Sequence, residues 1–382
     1  MSDEQAQAAQ ATQPAPVRRK FFKRATAGAA TGAALLAFPM ISKAQSPIRL
    51  RVQFPFAKDF FENTAMQMIT AIESMSGGRI KIEKLPPNSV VKTFDMMEAV
   101  HKGLLDGCIG ACGYWVGKNP AFSLFGTSPM AAMDAWQHLG WFYEGGGKPY
   151  YDELQQSVMK LNITGFLFAP MNTQALGWFK KEIKSAADFN GLKYRTIGLA
   201  ADMTKGMGAS VVIIAPTEII PSLDRGVIDA AEYNNTTSDR ILGFPDVSKI
   251  CMRKSYHQNE ECLEFIINKK KYDALPADLK HIIRYAAHST SAMMNFDAMN
   301  RMSTDFIEMQ TKQGVKFIQT PQDVLKAQLA SWDKVMADKA KDPFFAKVLE
   351  SQKNWAQRVV SWWLSTQLSP ELAYNHLFGK KA

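Results

Sequence analysis

Little in this chain matches a known catalytic pattern. The six histidines, His101, His138, His257, His281, His288 and His376, show no metal-ligand spacing, and no HExxH segment occurs. Neither GxGxxG nor a phosphate-cradling Gly-Lys-Ser/Thr is present; Gly145-Gly146-Gly147 lacks the following Lys-Ser/Thr pair and reads as a turn. There is no GxSxG nucleophile elbow. Catalytic groups can be scattered along a sequence, and an enzyme built from this chain would need Glu232 or His257 as its base. The balance points to binding and not to turnover. Four cysteines remain. Cys251 and Cys262 flank Lys254 to Glu260, which reads as a turn between two strands, and this leaves open whether the pair face each other and form a disulfide. Cys108 and Cys112 sit among small apolar residues and read as buried free thiols. Without a CxxC pair, zinc held by the four is not expected.

Those residues need a scaffold, and 382 residues are too many for one compact core, which implies two lobes. A hydrophobic share of 46% and a charged share of 21% are ordinary for a folded protein. The net charge of +9 is unevenly spread, with +4 falling in residues 1–44 and +5 in the rest. No basic stripe with interleaved aromatics accompanies it, so nucleic acid is not expected as a partner.

Ile48 to Phe54 alternates apolar and polar residues as a half-buried strand does. Phe60 to Met75 has the periodicity of an amphipathic helix, stopped by Gly77-Gly78, and Arg79 to Leu85 alternates again. Thr93 to Lys102 reads as helix and Asp106 to Ala111 as a short buried strand. A second set restarts near residue 168, with strands at 163–168, 175–180, 192–196, 211–214 and 230–233 among helices at 200–207 and 217–225. This order implies α/β sheets covered by helices. Beyond Pro276 the pattern is helical, with Asp278 to Lys312 free of internal Gly and Pro. Val324 to Asp338 and Phe344 to Gln367 follow, the last carrying Trp355, Trp362 and Trp363 for an interface or for packing on the chain's own body.

The first 44 residues read as an address. Arg18-Arg19-Lys20-Phe21-Phe22-Lys23 precedes an Ala- and Gly-rich apolar stretch to Ile41 and then Ser42-Lys43-Ala44, the layout of a secretory signal cut after Ala44. The paired arginines resemble a twin-arginine signal, which exports folded proteins. A membrane anchor is the alternative, but about 17 residues of this composition are marginal for a span. The expected location is the periplasm.

Tyr114-Trp115-Val116-Gly117-Lys118-Asn119-Pro120, Gly191-Leu192-Lys193-Tyr194-Arg195, Pro216-Thr217-Glu218-Ile219, Leu223 to Glu232 and Asn268 to Leu279 together resemble the binding subunits of tripartite ATP-independent periplasmic (TRAP) transporters. The resemblance is greatest to the branch that binds 2-oxo acids, lactate and related monocarboxylates. It implies a periplasmic-binding-protein-like fold of two α/β lobes, joined by crossing strands and braced by a long helix. The implied division is 45–168 plus 236–265 for the first lobe, 169–235 plus 266–277 for the second, 278–312 for the brace and 313–382 for C-terminal helices that can pair two subunits. It implies a solute receptor with no catalytic residues and no organic cofactor, delivering a small carboxylate to membrane permease subunits; a ligand-sensing subunit is the alternative role.

The resemblance puts Arg195 at the centre of the site, where a planar guanidinium can hold a carboxylate through two charge-assisted hydrogen bonds. Gln174, Tyr114, Trp115, Asn234 and His257 are the other implied ligand residues. Gln174, Glu232 and Tyr233 are the implied holders of a sodium or calcium ion, for which oxygen ligands are suited. Two departures bear on the pocket. Glu232-Tyr233 stands where the branch often has Glu-Trp, and Tyr256-His257-Gln258-Asn259-Glu260 where it tends to have Trp-His-Glu-Pro-Gly. Both change pocket charge and shape, favouring a larger or more polar ligand than pyruvate.

Overall fold

A computed structural model of the chain describes residues 46–130 and 132–379. The expected signal segment, residues 1–44, lies outside the described residues. Among those described, no helix is long and apolar enough to cross a membrane.

Strands numbered along the chain form two sheets. The first contains β1 (Ile48–Gln53), β2 (Ile80–Leu85), β3 (Gly107–Ala111), β4 (Ile163–Met171) and β10 (Glu261–Asn268). The second contains β5 (Gly177–Phe179), β6 (Lys193–Arg195), β7 (Ser210–Val212), β8 (Ala230–Ala231), β9 (Ile250–Arg253) and β11 (Lys316–Gln319). Their spatial orders are β2-β1-β3-β10-β4 and β11-β9-β5-β8-β6-β7. In the first sheet β10 runs antiparallel to both neighbours, so β1, β3 and β4 all end at the edge where β10 begins. In the second, β6, β8 and β9 end where β5 begins. Open α/β sheets bind ligands at such edges. The expected α/β class with two lobes is the one found.

The chain crosses from the first sheet to the second through 172–176, returns through 254–260, and reaches β11 by way of the helix Ala277–Lys312. A bulge prepares the first crossing. The β4–β10 register slips between Cys262 and Leu263, which leaves Ala169 as the extra residue with φ of 56°. Its amide is met by Ser291 Oγ of the long helix at 3.0 Å. That helix buries Leu279, Ile283, Ala286, Ala287, Thr290, Ser291, Met294 and Ala298 on one face. It packs on the helix Phe60–Met75, on β4 and on the helix Thr236–Leu242, touching the elements of both sheets as a brace should.

One expectation changes, and one open pairing is decided. The segments 236–265 and 266–277 do not divide as the sequence implied: Ile250–Arg253 pairs in the second sheet, whereas Glu261–Asn268 and the helix Lys269–Asp273 pack with the first. For the same reason Cys251 and Cys262 do not face each other across a hairpin. All four cysteines are buried free thiols.

The first lobe's core holds an isolated acid. Glu264 of β10 is fully buried and accepts from Trp115 Nε1 on one oxygen and Tyr151 Oη on the other. Burial pushes its carboxyl up to about 7, against the pull of those two donors. The folded chain therefore keeps this proton at a pH where the unfolded chain, at an ordinary 4.5, has lost it. Between pH 4.5 and 7 this group lowers stability as pH rises, by about 3 kcal/mol over the window. Glu264→Gln is expected to flatten that slope in urea unfolding measured from pH 5 to 7.5; an unchanged slope would show that Glu264 is ionised throughout.

Candidate functional site

Strand β6 ends in Arg195, and its parallel neighbour β8 sets Ala231 beside it, so Glu232 emerges one step further on. The Glu232 amide donates to Arg195 O at 3.2 Å. Gly177 allows this approach: a Cβ there would lie 2.6 Å from Ala231 O, and its φ of 137° suits glycine alone. Both charged side chains are about 1% exposed. Arg195 Nη1 donates to Glu232 O at 2.8 Å and to Glu232 Oε1 at 2.9 Å, while Nε and Nη2 donate to Ile214 O at 3.3 and 3.2 Å. One N–H of Nη2 is left over, so the expected two-pronged grip on a ligand needs Glu232 to share its hydrogen bonds.

The first crossing supplies Gln174, 1% exposed, whose amide N–H is fixed on Gln258 O of the second crossing at 3.2 Å. Its side-chain Nε2 donates to Glu261 Oε2 at 3.0 Å, and Asn234 Nδ2 donates to that same oxygen. Glu261 opens β10 and escaped sequence reasoning. Burial first, then the nearby Glu232, pushes its carboxyl up to about 8. Burial likewise raises Glu232 above the ordinary range, opposed by Arg195. Two oxygens of this set, Gln174 Oε1 and Glu232 Oε2, are buried without a hydrogen-bond partner. The Thr196 hydroxyl and Ile197 amide face Glu232 and favour its anion without closing a bond of normal geometry.

Tyr233 turns its hydroxyl to Asp59 Oδ2 at 2.6 Å, linking the second sheet to the N-cap of the helix Phe60–Met75. Burial raises Asp59 above its ordinary value. Tyr114 is buried, in the field of Glu261, Arg195, Asp59 and Glu232, and burial raises its hydroxyl well above the usual range. Of the residues named from the sequence, Arg195, Gln174, Glu232, Tyr233, Asn234 and Tyr114 lie in this neighbourhood. Trp115 does not join them, because its indole N–H is committed to Glu264 in the core. His257 is buried on the second crossing. Its Nδ1 lies 2.7 Å from Ser255 Oγ, which also accepts from the His257 amide and from Gln328 Nε2. With both lone pairs of Oγ used, the serine proton goes to Nδ1 and leaves His257 with an Nε2–H donor that has no partner. Burial pushes this imidazole down to about 3, so it is neutral. On the far side of Asn234 a cavity of about 310 Å³ opens, lined also by Asp239, Arg253, Met294 and Phe306.

Residues 55–343 match the DctP family, bacterial extracellular solute-binding proteins of family 7. This chain belongs to that family. It is 29% identical over 303 residues to a monocarboxylate 2-oxoacid-binding periplasmic protein of Nostoc sp., spanning 78% of this chain and 81% of that protein. It is also similar to the crystal structure of a TRAP periplasmic solute-binding protein of Pseudoalteromonas atlantica with bound sodium and pyruvate, at 28% identity and a TM-score of 0.79. The corresponding protein of Colwellia psychrerythraea, with calcium and pyruvate, gives 26% and 0.79. Each comparison covers 87% of this chain and 100% of the other. As a member of that family the chain is a solute-binding receptor.

Removing one partner of a buried ion pair strands the other charge. Arg195→Ala is therefore expected to lower unfolding stability by about 3 kcal/mol in urea titration, and Glu232→Ala to cost less when added to it than alone. Strictly additive effects would show that the pair is uncoupled.

Proposed function

We propose that this protein is the periplasmic receptor of a TRAP-type transporter and closes on a small 2-oxo or 2-hydroxy monocarboxylate together with a sodium or calcium ion. The observation that carries the reading is the buried set Arg195, Glu232 and Gln174, with one guanidinium N–H and two acidic or amide oxygens left without partners. A hard cation takes carboxylate and carbonyl oxygens, and Glu232 Oε2 and Gln174 Oε1 are such oxygens. The side chain of Tyr233 is spent on Asp59, so its part in holding the ion falls to its main-chain carbonyl. When bound, the ion would supply positive charge for the ligand's carboxylate and adjacent oxygen. Glu232, Glu261 and Asp59 are three buried acids whose carboxyls burial has raised, so a cation beside them would favour their anions.

Arg195 then binds the ligand carboxylate, Tyr114 and Asn234 bound the pocket, and His257 offers a neutral donor. An imidazole at about 3 is a poor base, so His257 is not the base that an enzyme acting on the same acid would need. Calorimetry on the chelator-treated mature protein tests this. Pyruvate is expected to bind at least about tenfold tighter with Ca²⁺ or Na⁺ restored, and Arg195→Ala to lose about a hundredfold or more. No binding of 2-oxo or 2-hydroxy acids under either condition, or turnover of the bound acid, would overturn the reading.

The same proposal includes a homodimer. Residues 361–379 are exposed throughout, and Trp362, Leu364, Leu368, Leu372, Leu377 and Phe378 form an apolar arm on the end of the helix Pro343–Thr366 and the helix Pro370–Phe378. Leu368 is 92% exposed. Such a surface is ordinarily covered, and the second copy of the chain is the partner proposed. Light scattering is expected to give a dimer for the mature chain and a monomer after deletion of residues 362–382; a monomeric full-length chain would refute it.

A further inference from the structure

Glu261 is a buried acid of the site that no motif pointed to, and its bonds are informative. A single oxygen, Oε2, accepts from both Gln174 Nε2 and Asn234 Nδ2. An oxygen that accepts two N–H groups carries no proton, whatever the state of the other oxygen. A carboxyl in that state forces a neighbouring amide to present its NH₂, and therefore to aim its carbonyl oxygen elsewhere. Asn234 satisfies its own carbonyl oxygen on Asn235 Nδ2 at 2.8 Å. Asn235 Oδ1 in turn caps the helix Thr236–Leu242 by accepting the Ser238 amide at 2.9 Å. Glu261 is thus tied through two asparagines to a helix N-terminus. Gln174 differs, since its carbonyl oxygen is buried and has no partner. Its main chain is pinned as well, on Gln258 O.

We propose that Glu261 is the positioning residue of the site: by holding Gln174 Nε2, it fixes Gln174 Oε1 as an acceptor turned toward the cation and its carboxylate ligand. The assignment rests on the receptor reading given above. It makes Glu261 act through Gln174 and not by its own charge, and this separates it from Glu232. Two variants distinguish these roles. Glu261→Gln keeps an acceptor oxygen for Gln174 Nε2, and Glu261→Leu removes it at similar volume.

The probes are calcium and pyruvate, titrated by calorimetry into the full mature chain, with thermal melting as the check on folding. Glu261→Leu is expected to weaken pyruvate binding in calcium by about tenfold to a hundredfold, the range for partners that orient metal ligands. Glu261→Gln should stay within about threefold of the parent, because the hydrogen bond survives. Added to Gln174→Ala, Glu261→Leu should cost nothing more. The Gln174 side-chain amide resonances provide a readout that needs no ligand, and should move in Glu261→Leu but not in Glu261→Gln. Undiminished binding by a folded Glu261→Leu variant would overturn the proposal. So would an additive loss in the Gln174→Ala background, or an equal loss in Glu261→Gln, since each makes Glu261 a direct ligand. If the parent ignores both probes while the amide resonances still respond to Glu261→Leu, the receptor reading fails and the hold of Glu261 on Gln174 stands.

Discussion

A guanidinium taken out of water must find acceptors for nearly all its N–H groups, and Arg195 finds them in Glu232 and Ile214 O. Much of the site follows from that requirement. The pair needs β6 and β8 in parallel register, with β5 close enough for a glycine alone at 177. It also needs the edge of the second sheet closed off by the two crossing segments. A buried ion pair is a poor source of stability, since an apolar pair of equal volume does as well. This pair lies where strand ends of both sheets meet, the edge at which open α/β sheets take ligands. Glu261 and Asp59 add two more buried carboxyls near that pair, both raised by burial.

The regular elements were legible where periodicity was clean. The helix expected at 278–312 spans Ala277–Lys312, and those expected at 324–338 and 344–367 span Gln322–Lys339 and Pro343–Thr366. Arg195, Glu232, Gln174 and Asn234 were legible only through motifs, since a lone Glu or Gln after a strand has no signature of its own. Glu261 had neither. It opens β10, every residue of which is buried, and a strand covered on both faces gives no alternation to mark one acid as functional. The same strand carries Glu264, whose role is in the core. Trp115 was misplaced by its adjacency to Tyr114: on the tight turn Cys112–Trp115 consecutive side chains diverge, one to the site and the other to Glu264. Lobe membership failed at β9 and β10 because neighbours in sequence usually pair. Here the seven residues between them cross from one sheet to the other.

That crossing also sets how the lobes can move. Across the candidate site, polar contacts join the elements of the two sheets, Tyr233 to Asp59 and Gln174 and Asn234 to Glu261, and apolar ones accompany them, with Phe61 edge-on to Tyr233 and Ile197 and Leu199 packed in one cluster with Tyr114 and Phe122. The polar contacts exchange readily for water, at a net cost near 1 kcal/mol each. The apolar ones resist opening in proportion to their area. The long helix adds to that resistance, burying a continuous face against β4 and two helices and setting Phe306 on Phe317 of the second sheet. The two sheets are therefore held by packing along the long helix, and by packing and hydrogen bonds together across the candidate site. In such an arrangement the occupant of the site contributes directly to closure, because it satisfies the oxygens that the closed form otherwise buries alone.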